Sequence, residues 1–149
     1  MSDLSLTQTE ADNLLFEVEK QRLGNDHYMF PYSGQKIEVP IISLDKKYEF
    51  LLSLFKGKIA IEKVTYHTRV RKTIILARID IGGAGHMNPD GTEIPSPHIH
   101  LYTEGYGTKI AKPLPDIFDN PADKIHTLDQ FMNFCKIVLK PYIDPSLIP

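Results

Sequence analysis

From Lys36 to Ile81 apolar and polar residues alternate with a period of two, the strongest pattern in the chain. It predicts four strands, Ile37–Leu44, Tyr48–Phe55, Lys58–Val70 and Thr73–Ile81, each rich in β-branched and aromatic residues. Asp45-Lys46-Lys47 and Lys56-Gly57 are short enough for hairpin turns, so the segment reads as an antiparallel meander. On the third strand Val64, Tyr66, Thr68 and Val70 share one side, and Thr65, His67, Arg69 and Arg71 the other. On the fourth, Ile75, Ala77, Ile79 and Ile81 form an apolar side, with Arg78 and Asp80 opposite. A turn at Arg71-Lys72 joins the two apolar sides on the core and leaves His67, Arg69, Arg78 and Asp80 on the other face. Arg-Lys is poor chemistry for a tight turn, so a register offset by one is an alternative.

Helical periods flank this region. Thr7 and Glu10 have capping-box spacing, and Ala11, Leu14, Leu15, Val18 and the stem of Arg22 follow an i, i+3, i+4 stripe. The spacing predicts a helix to about residue 23, ended by Gly24, and then a loop over Asn25–Gly34. Near the other end, Thr127 and Gln130 repeat the capping-box spacing. Leu128, Phe131, Met132, Cys135, Val138 and Leu139 make the stripe of a second helix, stopped by Pro141. Between the meander and that helix, Gly82-Gly83, Gly85 and Asn88-Pro89-Asp90-Gly91 mark turns. His98–Tyr102 reads as a further strand, with Ile99 and Leu101 inward and His98, His100 and Tyr102 facing away from the core. Pro113, Pro115 and Pro121 predict an irregular stretch from 111 to 125. The expectation is one α+β domain over residues 1–149: an N-terminal helix, a mainly antiparallel sheet of about five strands, and a C-terminal helix packed on it.

Composition narrows the setting. The 149 residues are 42% hydrophobic and 24% charged, as in ordinary globular domains. No apolar run approaches the length that crosses a bilayer, and the first residues lack the basic-then-apolar pattern of a signal peptide, so a cytoplasmic protein without a membrane partner is expected. Cys135 is the one cysteine; it excludes an intramolecular disulfide and a cysteine-cluster zinc site, and its place on an apolar stripe argues against a thiol nucleophile. The net charge of −2 conceals a basic hairpin. Residues 56–78 hold Lys56, Lys58, Lys63, Arg69, Arg71, Lys72 and Arg78 against Glu62 alone, while both flanks are acidic. A local anion partner is one reading, with Arg69, Arg71, Lys72 and Arg78 as nucleic-acid-binding candidates; an edge hairpin guarded by charge against aggregation is the other.

His98-Ile99-His100 carries the candidate chemistry. Residues i and i+2 of a strand point the same way with Cβ atoms about 6.5–7 Å apart, a spacing that suits two ligands of one metal or two sides of one phosphate. His86 can return to the same place if the loop after it folds back, and Asp80 and Glu104 can add carboxylates. As a metal site, His98, His100 and Asp80 or Glu104 would supply two imidazoles and a carboxylate to one divalent transition metal. As a metal-free phosphodiester site, His98 and His100 would serve as acid and base, with His86, Tyr102, Glu104 and the hairpin cations around the substrate. As a purely structural arrangement, the histidines would tie the loop to the sheet. On the second reading, replacing an outward-facing histidine would cost little stability. The chain has no HExxH, calcium loop, phosphate-binding P-loop or G-x-S-x-G nucleophile.

The stretch IDIGGAGHMNPDGTEIPSPHIHLYTEGYG resembles the core of a family of small uncharacterised bacterial and prophage proteins, preceded there by a helix and a basic hairpin. The likeness runs from about Leu6 to Cys135; Lys109-Ile110-Ala111 departs from it where the family tends to have Lys-Trp-Ala. The resemblance implies a bacterial or phage host and no particular activity. Two function classes follow. The first is an RNA-cleaving, toxin-like enzyme with a site at His98 and His100 beside the basic hairpin, with either no cofactor or one divalent transition metal. The second is a non-catalytic module that binds nucleic acid, a small protein partner, or a metal through its histidines.

Overall fold

The computed structural model describes residues 5–59 and 63–145; residues 60–62, within the predicted third strand, lie outside that range. The chain is mostly β, which corrects the α+β expectation. Among the described residues two short helices, α1 (Gln8–Asp12) and α2 (Lys124–Phe134), accompany twelve strands. In chain order these are β1 (Lys20–Arg22), β2 (His27–Met29), β3 (Lys36–Ser43), β4 (Glu49–Lys56), β5 (Val64–Val70), β6 (Ile74–Ile81), β7 (His86–Met87), β8 (Glu93–Ile94), β9 (His98–Leu101), β10 (Ala111–Pro113), β11 (Ile137–Leu139) and β12 (Tyr142–Asp144). Eight strands form one mixed sheet in the order β10-β9-β6-β5-β4-β3-β1-β11, in place of about five. Among the described residues, β1 and β11 are the one parallel pair within it. Two small two-stranded sheets, β12-β2 and β7-β8, lie outside it.

The helices are shorter than their stripes suggest. Thr7 closes the predicted capping box with Glu10, but α1 ends at Asp12 and passes into a π-helical turn, Asn13–Glu17. Ala11, Leu14 and Leu15 are buried as the stripe requires. The chain then becomes extended at Val18 because β1 is drawn into the sheet beside β3, with Lys20 opposite Ser43 and Arg22 opposite Ile41. Lys20 is fully buried, and its ammonium donates to the carbonyls of Leu15, Val18 and Cys135 at 3.3, 2.8 and 2.8 Å. It thereby takes up carbonyls left unpaired where the π-helical turn and α2 both end.

At the other end α2 starts before the predicted cap. Asp123 is the cap, accepting from the His126 N–H, and Thr127 lies buried inside the helix with its hydroxyl on the Asn120 and Asp123 carbonyls. Leu128, Phe131, Met132 and Cys135 bury as expected. Lys136 then turns left-handed at φ 62°, and Val138 and Leu139 leave the helical stripe for the edge strand β11, where they are exposed.

The predicted meander holds in order and pairing, but its third strand begins at Val64 instead of Lys58, and the strand before it runs through Lys56. Tyr66 pairs with Ile79, Val64 with Ile81 and Thr68 with Ala77, all buried, while Thr65 faces Asp80 and His67 faces Arg78 on the opposite side. The turn is at Arg71-Lys72, and the register slips once, between Thr68 and Arg69, so that Leu76 enters the core and Ile75 leaves it. The core lies on the face carrying Leu52, Leu54, Tyr66, Ile79 and Ile99, with Leu14, Phe30 and Phe131 in the same buried cluster. Each such side chain contributes about 1.5–3 kcal/mol by leaving water.

Candidate metal centre

The other face of β6 and β9 carries the site. Antiparallel pairing sets Asp80 opposite His98 and Arg78 opposite His100, with Ile79 and Ile99 between them pointing into the core. On the outer side β10 places Ala111 opposite His100. The loop after β6 folds back as the hairpin β7–β8, as the return of His86 requires. Gly85 permits this, since a Cβ there would stand 2.9 Å from the Ile94 carbonyl oxygen. Asn88 clamps the hairpin: its side chain donates to the Ala111 carbonyl at 3.0 Å and accepts from the Ala111 N–H at 2.7 Å. The His86 ring consequently sits 4.7 Å from that of His100 and 6.1 Å from that of His98.

Under this cover His98 and His100 are 3% and 0% exposed. The histidines are therefore on the predicted face but buried there, which removes the solvent exposure on which the expectation of a small stability cost rested. Nδ1 of His98 lies 3.3 Å from the Pro95 carbonyl, and Nδ1 of His100 lies 2.7 Å from that of Thr108. At His100 the Thr108 carbonyl accepts from Nδ1 and the Arg78 guanidinium donates to Nε2, so the proton is on Nδ1 and the Nε2 lone pair faces inward; His98 meets an acceptor at both ring nitrogens, the Pro95 carbonyl and the Asp80 carboxylate. Both Nε2 atoms point at one carboxylate oxygen, Oδ2 of Asp80, at 3.2 and 3.3 Å. Single donor atoms of Asp80, His98 and His100 all lie within 4.8 Å of one another. When Nδ1 is protonated in both rings, two nitrogen lone pairs and a carboxylate oxygen converge, an arrangement that a cation would stabilise.

Arg78 supplies part of that positive charge. Its guanidinium donates to Asp80 Oδ2 at 3.0 Å and to His100 Nε2 at 3.2 Å, while Thr65 donates to Asp80 Oδ1 at 2.8 Å. Burial pushes the Asp80 pKa up, but the Arg78 charge and the hydrogen bonds from Arg78 and Thr65 more than offset it, leaving the carboxyl well below the usual range. The His98 pKa is lowered, chiefly by burial, with Asp80 opposing.

The remaining predicted residues are elsewhere. Tyr102 is buried in the core, and its hydroxyl exchanges 2.8 Å hydrogen bonds with the N–H and carbonyl of Leu6. Glu104 is exposed and holds Gln8, accepting from its backbone N–H at 2.8 Å. Arg69 is paired with Glu38, and Arg71 and Lys72 form the far tip of the β5–β6 hairpin, on the order of 20 Å from Asp80 at the strand rise. Lys56, counted among the hairpin's bases, is buried. Sequence reasoning missed Thr65, although its place opposite Asp80 was readable from the hairpin register. It also missed the backbone carbonyls of Pro95 and Thr108, for which no side-chain signal exists.

The fold and site define a mostly β domain with a histidine–carboxylate cluster closed beneath a hairpin. The chain belongs to a family of unknown function, DUF6978, whose profile matches residues 6–137. No curated protein and no solved structure matches it. Among the described residues no helix is long and apolar enough to cross a membrane.

Proposed function

We propose that the protein binds one divalent transition-metal ion through Asp80, His98 and His100 and uses it on an oxyanion substrate, a phosphoester being the substrate class. One observation carries this reading: two buried imidazoles, each fixed through Nδ1 by a backbone carbonyl, aim their Nε2 atoms at one carboxylate oxygen. Carbonyl-anchored histidines are the usual second layer of metal sites, where the anchor sets the tautomer and raises ligand basicity. Two nitrogens and one oxygen suit zinc, ferrous iron or manganese with coordination positions left for water and substrate. A bound ion would supply Lewis acidity and a water of lowered pKa. Arg78 would yield the His100 lone pair to the ion and stay against Asp80, 31% exposed, as the group that orients a phosphoryl oxygen.

Direct acid–base work by His98 and His100 on an RNA phosphate is a weaker reading, because both rings are covered and two arginines of the basic hairpin are already paired. The test is elemental analysis of the purified protein, with esterase assays from p-nitrophenyl phosphate through bis-p-nitrophenyl phosphate to RNA. Near-stoichiometric metal, lost in Asp80→Asn and His100→Ala, is expected. Protein that holds no metal and shows no thermal shift with zinc, manganese or iron would refute the proposal.

A further inference from the structure

The β3–β4 and β5–β6 hairpin tips stand side by side at the end of the sheet away from Asp80, since Phe50 pairs with Val70 just before the two turns. A cavity of about 460 Å³ opens there, within the size range of small-molecule sites. Its floor is apolar, formed by Leu14, Ile41, Phe50 and Val70. Its rim carries Lys47, Arg69, Arg71 and Lys72 and one acid of its own, Glu49, with Arg69 paired to Glu38 and Arg71 in the field of Glu10. This gives Arg71 and Lys72, two bases of the hairpin charge that the metal centre leaves unused, a place in the fold.

The backbone of the rim supplies a second observation. Non-glycine residues with positive φ number four among the described residues, and three of them, Lys46, Arg71 and Lys72, are at these two tips, with φ of 64, 52 and 66°. Two successive positions of this kind favour Asn-Gly, which adopts them at little cost. The sequence has Arg-Lys instead, so the turn sacrifices backbone comfort for two cationic side chains. Residues held in sparsely populated conformations gather where ligands are clamped.

The geometry points to a binding site for an amphiphilic anion, a carboxylate bearing an unbranched apolar tail. The tail lies on Leu14, Ile41 and Phe50, and the carboxylate meets Lys72 and Lys47. The apolar floor explains a tail and the basic rim explains a negative head. A phosphodiester polymer would use the rim and leave the floor empty.

The probe is octanoate, titrated calorimetrically into the full-length protein, with octan-1-ol and acetate as the two halves of its chemistry. Octanoate should bind, octanol should bind on the order of tenfold more weakly, and acetate should not register, because both the charge-assisted bonds and the buried tail are needed. Lys72→Glu should weaken octanoate by a further factor on the order of tenfold. Lys72→Gly should also weaken it while leaving the melting temperature equal or higher, since glycine occupies a positive φ without strain. Octanol matching octanoate, binding unchanged in both Lys72 variants, or no octanoate binding at millimolar concentration would overturn the assignment. So would single-stranded RNA displacing octanoate. None of these readouts involves a metal, so the outcome is independent of the Asp80 site.

Discussion

Lys20→Met tests the most unusual buried group in the core. The ammonium is enclosed between Leu15, Val18 and Cys135, whose carbonyl oxygens take its protons at 3.3, 2.8 and 2.8 Å, and it lies 4.9 Å from the centre of the Phe50 ring. Methionine fills similar volume and donates nothing. The Leu15 and Cys135 carbonyls, at buried contacts, left short of a donor cost about 1–3 kcal/mol each, and the part-buried Val18 carbonyl less. Against this, the variant no longer desolvates a charge. Burial lowers the Lys20 pKa from 10.5 to about 8, which corresponds to about 3 kcal/mol at neutral pH. The net loss is about 3 kcal/mol, or a melting temperature lower by about 6–12 °C for a chain of this size.

The sign of the pH dependence sharpens the test. A lysine whose folded pKa lies below its unfolded value carries its penalty in full below pH 8, where both states are protonated. The penalty fades as pH rises towards 10.5, because in that window the unfolded chain holds a proton that folding releases, and higher pH favours the release. Wild type should therefore gain about 2 kcal/mol over the variant between pH 7 and pH 10. Urea unfolding of both proteins at the two pH values measures the double difference, in which titrations common to both cancel. A gap that narrows with pH would show that the carbonyl cage raises this pKa, and would refute the reasoning.

His100→Ala should lower stability by about 2–4 kcal/mol even without metal, because it opens a cavity and strips the Thr108 carbonyl and Arg78 of a buried partner; a melt unchanged from wild type would contradict this. Tyr102→Phe should cost about 1–3 kcal/mol and raise hydrogen exchange at Leu6, whose N–H and carbonyl both bond the hydroxyl; unaltered protection there would refute it. Gly85→Ala should push the β7–β8 hairpin away from the Ile94 carbonyl and weaken metal retention by about 10–100-fold, as loss of a supporting layer does. Chelator competition against wild type measures that effect, and equal retention would count against the hairpin as part of the centre.

What the sequence disclosed follows physical range. Alternation over seven or eight residues placed β3 to β6, and it placed Thr65, His67, Arg78 and Asp80 on one face, because one buried side imposes that pattern locally. The strands β1 and β11 are three residues each, too short to display a period, and they pair with partners distant in sequence. Val18 and Arg22 therefore read as the continuation of a helix, and Val138 and Leu139 as its later counterpart. At the site, the HxH spacing and the returning His86 were legible, but burial was not. The cover comes from Asn88 and Lys109 meeting segments some twenty residues away, through backbone groups that every residue possesses.

The parallel pairing of β1 with β11 has a kinetic consequence. Lys20 lies beside Ile137, so one interior strand of the sheet has a neighbour more than a hundred residues later in the chain. During synthesis the hairpins β3 to β6 can form as they emerge, each closing a short loop. The β1 strand would remain with one side open, and the Lys20 ammonium would lack the Cys135 carbonyl, until the α2–β11 segment had left the ribosome. Nascent chains arrested shortly before Ile137 should therefore carry an ordered meander beside a protease-sensitive first thirty residues, and should become resistant in one step once β11 is free.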